Sequence, residues 1–325
     1  MVRRYWVGSK YAKIMSPRTL VIGGAGMIGS YVMPRLLETG REISVLGRRA
    51  VPFYPLPARA AYIPGDFGDH PLISRLLASH TEVIHMAYAT VPNTSFQNPL
   101  GDLQQNLPSA VQLFSEAAKR NCRLILVSSG GTVYGQAKTL PIPEDHSTDP
   151  ISPYGLTKLM LEKYAKLYAV IYGLKVICLR PANAYGVGQY PFSGQDFVST
   201  AMASVMRGLT IQVFGRGGTI RDYIYVSDLA AGIVKAMEHG QIGETYNVGS
   251  GLGVSNLDMV TMISPLLQEL GYESRIEYLS ERIFDVQANV LDSSKLRRIT
   301  DWAPEVTLNE GLMRTREWLR SKSYG

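Results

Sequence analysis

The chain has 325 residues, of which 46% are hydrophobic and 18% charged, so it has ample material for a core and too little polarity for a disordered chain. The longest uncharged stretch near the start, Leu20 to Pro34, is broken by glycines and too short to cross a bilayer, and no apolar segment of signal-peptide type precedes it, which argues against a membrane span and a secretory signal. The formal net charge of +6 would suit a nucleic-acid binder, but Arg3, Arg4, Lys10, Lys13 and Arg18 stand at the start without an acid; with those five set aside from the 33 basic residues, the 27 acids nearly balance the rest.

The basic excess therefore belongs to an extension over residues 1–16. It reads as a leader, or as a start placed upstream of Met15, with RNA or membrane binding by this short arm as the alternative. No nucleic-acid or membrane partner is expected of the body. From Thr19 onward short β-branched runs alternate with helical stretches, the pattern of βαβ units and of a parallel sheet covered on both faces. Strands are expected at Leu20-Ile22, Ile43-Leu46, Ala61-Ile63, Val83-Met86, Leu124-Val127 and Val176-Leu179, six in all. Apolar spacing of three and four places Leu103, Leu107, Val111, Phe114 and Ala118 on one covering helix face, and Leu159, Tyr164, Leu167 and Ile171 on another.

After Pro181 the rhythm loosens into Gly- and Pro-rich turns, a helix near Phe197-Arg207, a strand at Ile211-Phe214 and a strand and helix around Tyr223-Glu238. The fold class is α/β: a Rossmann-type doubly wound parallel sheet with a smaller C-terminal substrate-binding lobe. The dinucleotide-binding part is expected over residues 17–180, with 222–250 returning to it, and the smaller lobe over 181–221 and 251–325. Cys122 and Cys178 form no C-x-x-C or Cys/His cluster and the five histidines show no metal-ligand spacing, so neither a disulfide framework nor a metal site is indicated, and the chain reads as cytosolic.

The first strand runs into Gly23-Gly24-Ala25-Gly26-Met27-Ile28-Gly29, which puts glycines at 23, 26 and 29. Gly23 allows a tight turn, Gly26 lets a pyrophosphate approach the N–H groups of Met27 and Ile28 at a helix N-terminus, and Gly29 lets that helix pack against the sheet. The second strand ends in Gly47-Arg48-Arg49 where NAD-binding chains carry a carboxylate for the ribose. Arg48 or Arg49 could pair with a 2′-phosphate, so NADP is favoured over NAD, with solvated surface charge as the alternative. Asp66, ahead of Phe67, can accept from an adenine amine or simply make a turn.

Tyr154 and Lys158 lie four apart on a helix opened by Ser152-Pro153 and so share a face. An ammonium beside a phenol favours the phenolate, making a general base usable near neutrality. The pair alone is a weak signal. Between it and the fifth strand, however, stands Ser128-Ser129-Gly130-Gly131-Thr132-Val133-Tyr134-Gly135.

Together with Arg180-Pro181-Ala182-Asn183-Ala184-Tyr185-Gly186, Arg221-Asp222-Tyr223-Ile224-Tyr225-Val226 with Asp228, and Arg282-Ile283-Phe284-Asp285, these motifs resemble the extended short-chain dehydrogenase/reductase family, in its branch of nucleotide-sugar epimerases and dehydratases. The resemblance covers nearly everything from Thr19 to Leu319. It implies Tyr154 as acid/base and Lys158 as holder of the nicotinamide ribose. It also implies cofactor contacts at Asn106 and Ala87, substrate contacts at Asn183, Arg221, Arg282 and Asp285, and a homodimer. For the two arginines the alternative is a salt bridge, of Arg221 with Asp222 or Asp228 and of Arg282 with Asp285. The family's hydroxyl three positions before the Val of V-Y-G is Gly130 here, so Thr132, Ser129 or a water would have to supply that hydrogen bond, with Thr132 preferred.

The reaction implied is C4 epimerisation of a UDP- or dTDP-linked hexose through a 4-keto sugar. Dehydration is less indicated, because Gly131-Thr132 stands in place of the dehydratases' Asp-Glu. The rivals are an NADPH-dependent 4-ketoreductase of a nucleotide 4-keto-6-deoxyhexose and a non-catalytic cofactor-sensing binding protein.

Overall fold

A computed structural model describes residues 16–194, 196–215, 217–282, 285–322 and 324. The expected leader over residues 1–15 lies outside the described residues, as do Ile283 and Phe284 of the R-I-F-D segment. Thirteen strands lie among those described: β1 (Arg18–Ile22), β2 (Glu42–Gly47), β3 (Ala60–Pro64), β4 (Glu82–His85), β5 (Arg123–Val127), β6 (Lys175–Pro181), β7 (Asn183–Tyr185), β8 (Ile211–Phe214), β9 (Ile220–Tyr225), β10 (Thr245–Val248), β11 (Gly253–Ser255), β12 (Ile276–Leu279) and β13 (Ala288–Asn289). The helices are α1 (Met27–Glu38), α2 (His70–Leu77), α3 (Pro92–Gln97), α4 (Pro99–Lys119), α5 (Gly130–Val133), α6 (Pro153–Tyr172), α7 (Val198–Met206), α8 (Val226–His239), α9 (Asn256–Gln268), α10 (Ser294–Ile299) and α11 (Leu308–Ser321).

Seven strands form one parallel sheet in the order β10-β6-β5-β4-β1-β2-β3. The sequence reading counted six. The seventh, β10, is only four residues long and pairs with β6 from far down the chain, Thr245 opposite Cys178. Strands β1, β4 and β5 are apolar almost without interruption because both faces are covered. Val21 faces a layer that includes Val32, Leu36, Leu229 and Ile233 of α1 and α8. Its neighbours Leu20 and Ile22 face the opposite layer, with Leu77, Phe114, Leu161 and Ala165 of α2, α4 and α6.

On α6 the structure keeps Leu159 of the expected row inside and otherwise selects a different inner face. Leu159, Leu161 and Ala165 are buried, whereas Tyr164, Leu167 and Ile171 are exposed. Leu161 and Ala165 are four apart, as are Leu167 and Ile171, so periodicity could not say which pair meets the sheet.

The smaller lobe is organised on β9, which pairs antiparallel with β11 and parallel with β13 and β7. Residues 222–225 therefore lie in this small sheet, contrary to the expected return at 222, and the chain rejoins the first lobe at Val226, where α8 begins. Met202, Val205, Met259, Ile263, Leu312 and Leu319 fill the lobe's interior. Aromatic residues tie the two lobes together: the Tyr54 hydroxyl donates to the Gly188 carbonyl, and the Tyr190 ring stands edge-on to both Phe53 and Trp318. No helix among the described residues is long and apolar enough to cross a membrane.

Candidate active site

The sheet order reverses between β1 and β4, the place where doubly wound folds open a crevice at the C-terminal ends of their strands. The glycine turn lies there. Gly23 has φ of +84°, and a Cβ on it would stand 2.6 Å from the Ala87 nitrogen. A Cβ on Gly29 would meet the Gly24 carbonyl oxygen at 2.1 Å, so α1 can pack this closely only through glycine. Gly26 caps α1 without a side-chain hydrogen bond, and a Cβ there would have only the Gly23 oxygen near it, at 3.6 Å. The helix N-terminus is thus left open to an anion.

Three hollows run along the strand ends. The first, about 460 Å³, lies beside Gly23 and is lined by Gly47, Arg48, Asp66, Phe67 and Ala87. The second, about 560 Å³, shares Met86, Tyr88 and Ala89 with it and contains Ser129, Thr132, Tyr154 and Lys158. The third, about 710 Å³, shares Asn183, Arg221 and Asp285 with the second and adds Arg282. At the wall of the second hollow the Ser128 and Thr132 hydroxyl oxygens are buried without a hydrogen-bond partner among the described residues. An open helix N-terminus, a glycine cradle and orphaned hydroxyls are the features that an extended polar ligand would satisfy, and they fit a dinucleotide.

Two expected cofactor contacts, Arg49 and Asn106, stand elsewhere. Arg49 does not line the first hollow; its guanidinium covers the Phe53 ring at 5.1 Å. Asp66 lines the hollow but also accepts from the Gly68 N–H at 2.8 Å, so its turn role is real. Asn106 is buried behind the wall: its Oδ1 accepts from the Ala89 N–H at 2.8 Å and its Nδ2 donates to the Asp102 carbonyl at 2.7 Å. It holds the 88–90 segment in place rather than facing the hollow.

Ser152 caps α6 by accepting from the Gly155 N–H, and Pro153 occupies the first turn. Tyr154 is therefore at the positive end of the helix and Lys158 one turn later. The Lys158 ammonium donates to the Val127 carbonyl at 3.1 Å and lies 5.7 Å from the Tyr154 ring centre. The expectation that this ammonium lowers the phenol's pKa needs correction. Burial, and next the charge of Asp102, hold Tyr154 well above the ordinary phenol value, and hydrogen bonding with Ser129 is what pulls it down. Lys158 is pushed down to about 7 by burial, while Glu162 and Asp102 favour its charged form. For both groups desolvation is the largest effect.

Of the two candidate hydroxyls, that of Ser129 lowers the Tyr154 pKa, whereas that of Thr132 has no hydrogen-bond partner among the described residues. The glycine at 130 also has a structural reason. A Cβ there would stand 2.5 Å from the Leu291 side chain and 2.9 Å from the Arg180 carbonyl oxygen, pointing into the protein. Gly131 is the glycine that lines the second hollow.

In the smaller lobe, β9 carries Arg221, which donates to the Ile220 and Val286 carbonyls. Arg282 stacks on Phe214 with its guanidinium carbon 3.4 Å from the ring centre. The alternative salt bridges are not formed. Asp222 accepts from Ser250, Gly251 and Leu291, and Asp228 from the Glu305 and Val306 N–H groups. Among the described residues neither arginine has a carboxylate partner within ion-pair distance, which leaves both cations available along the hollows' rim. Motif reading missed Tyr88, Asp102 and Ser128. The available signal was position: Ser128 directly follows β5 and Tyr88 comes three residues after β4, at the strand ends where ligands sit.

A family model described as "NAD dependent epimerase/dehydratase family" matches residues 19–249. The chain belongs to the NAD-dependent epimerase/dehydratase family. This is the family to which its motifs bore a resemblance, and the chain is an enzyme of the extended short-chain dehydrogenase/reductase type. Among this epimerase/dehydratase's relatives, a UDP-glucose 4-epimerase of Mycolicibacterium smegmatis is 32% identical, covering 94% of this chain and 99% of the relative. The solved UDP-glucose 4-epimerase of Thermotoga maritima, with UDP-glucose, is 32% identical with a TM-score of 0.87, over 94% of this chain and 99% of that one. The Streptomyces venezuelae dTDP-glucose 4,6-dehydratase, solved with NAD and TYD bound, is 26% identical with a TM-score of 0.85, over 94% and 97% of the two chains.

Proposed function

We propose that this enzyme interconverts nucleotide-linked hexoses epimeric at C4, through a 4-keto sugar, with UDP or dTDP as the carrier. The observation that carries the reading is the single groove in which Tyr154, Ser129 and Lys158 stand between a glycine cradle on one side and Asn183, Arg221 and Arg282 on the other. A bound nicotinamide dinucleotide would supply the acceptor and donor of hydride.

This chain's own residues supply the rest. Tyr154 Oη takes the proton of the C4 hydroxyl and later returns it, with Ser129 hydrogen-bonded beside it and the start of α6 favouring the charged form. Lys158 would hold the nicotinamide ribose of that dinucleotide. Arg221 and Arg282 fork onto the diphosphate with Asn183 and Asp285 nearby, so binding is strong at the phosphates. Gly131 leaves the sugar ring room to turn and present its other face. Dehydration needs a further acid and base beside the sugar, and Gly131 and Thr132 offer neither. The relatives named as UDP-glucose 4-epimerases support this reading.

The test is incubation of the purified protein with UDP-glucose, UDP-galactose and their dTDP counterparts. Interconversion without net change in reduced nicotinamide supports epimerisation. Stoichiometric consumption of NADPH with a 4-keto-6-deoxyhexose supports the ketoreductase reading, which Arg48 at the first hollow favours.

For the cofactor we read a preference for NADP: no carboxylate ends β2, and Arg48 lines the hollow. Replacing Arg48 with Ala should raise the Kd for NADP about tenfold, the worth of one charge-assisted contact, and leave that for NAD within about twofold. Fluorescence titration measures both, and equal weakening of the two dinucleotides would count against the assignment. The exposed apolar row Leu156, Leu167, Val170 and Ile171 on α6 supports a homodimer.

A further inference from the structure

We propose that Tyr88, anchored on the buried carboxylate of Asp102, is a positioning residue for the catalytic pair, its ring forming the seat on which the Lys158 ammonium rests. The proposal deepens the reading of this groove as a site for nicotinamide-dependent chemistry and rests on it. Lys158 Nζ lies 4.1 Å from the centre of the Tyr88 ring, closer than to the Tyr154 ring at 5.7 Å. That is the geometry in which an aromatic face attracts a cation, and the effect grows as water is excluded. The same Tyr88 ring meets Tyr154 edge-on, with ring centres 4.8 Å apart. One side chain therefore touches both members of the pair.

The seat is itself fixed. The Tyr88 hydroxyl donates to Asp102 Oδ2 at 3.4 Å, and the Thr90 hydroxyl donates to the other oxygen of that carboxylate. Asp102 is completely buried and, among the described residues, within ion-pair distance of no cation. A buried, unpaired carboxylate is costly to keep unless its charge is used. Here its charge acts on both catalytic groups, favouring the protonated forms of Tyr154 and of Lys158. Asn106 fastens the segment from behind through the Ala89 N–H and the Asp102 carbonyl.

The titratable and charged groups facing the pair come from every packed element. Glu162 on α6 is bound to Arg180 of β6; His85 of β4 is kept neutral by burial and by the Lys158 charge; Arg221 of β9 and Asp285 line the far wall. Among these, Glu162, one turn from Lys158, is the larger favourable charge but is shared with Arg180, whereas Asp102 has no ion-pair partner among the described residues. A seat of this kind keeps the lysine charged at a working pH near the value to which burial has pushed it. Both the ring face and the carboxylate stabilise the ammonium, so loss of either should lower the lysine's titration midpoint.

Competitive acetylation by acetic anhydride, read by mass spectrometry across pH, follows Lys158 without any turnover. In the intact protein the Lys158 midpoint is expected near about 7. In Tyr88→Leu and in Asp102→Asn it should move down by about one pH unit, while Tyr88→Phe, which keeps the ring face, should move less than half as far. A midpoint that stays put in Tyr88→Leu or in Asp102→Asn overturns the proposal. Asp102→Asn preserves shape and acceptor, and decides alone if Tyr88→Leu does not fold.

With a nucleotide sugar that turns over, the acidic limb of kcat should move down in Asp102→Asn, as Tyr154 loses its proton more readily, with KM within about threefold. A wild-type protein inert towards every nucleotide sugar would sink the assigned reaction and leave the labelling result standing.

Discussion

Replacing Tyr154 with Phe should lower kcat by about 10²- to 10⁴-fold, the range associated with a positioned acid/base group. The ring of Tyr154 packs edge-on against Tyr88, and Phe preserves that contact, so stability and dinucleotide content should be unchanged. Only the hydroxyl hydrogen-bonded with Ser129 is lost. The pH dependence follows from the sign of the shift. Because burial and Asp102 raise the phenol above its usual value, the base form is scarce near neutrality and grows as pH rises, so the intact enzyme's kcat should climb from about pH 6 toward about pH 9. The residual activity of Tyr154→Phe should lack that climb. Steady-state kinetics across pH on both proteins checks this, and near-wild-type turnover by the variant would remove Tyr154 from the chemistry.

Glu162→Ala is the substitution with the largest expected effect on stability. The Glu162 carboxylate holds Arg180 through both oxygens, at 2.7 Å to Nη2 and 3.0 Å to Nε, and both side chains are buried. Removing the acid leaves an uncompensated guanidinium between α6 and β6, a loss of about 3–5 kcal/mol. Urea unfolding should show an earlier midpoint with an unchanged slope. Replacing Glu162 and Arg180 together with Leu should recover most of that loss, since the cost lies in the orphaned charge rather than in the absence of a pair. A single variant as stable as the wild type would show that water reaches Arg180.

The elements legible in the sequence are those specified by neighbours along the chain. Strand, glycine turn and helix follow one another within about a dozen residues, and the Tyr154–Lys158 pair follows from a capped helix start and a spacing of four. The apolar runs of β1, β4 and β5 announce strands covered on both faces. Where two rows of one helix are equally apolar, as on α6, or where a strand is four mixed residues, as in β10, local pattern is degenerate and packing decides.

Sequence alone thus determined the fold class, the family, the glycine turn and the shared helix face of Tyr154 and Lys158, because each is written in contacts of short range or in residue types that only one conformation accepts. Tertiary structure decided which hydroxyl stands by Tyr154, why position 130 must be glycine, that Arg48 rather than Arg49 faces the hollow, and that Tyr88 and Asp102 attend Lys158. These depend on where side chains from β4, α4, β5 and α6 cross. A chain position does not encode the direction in which a Cβ points until the strands that flank it are in place.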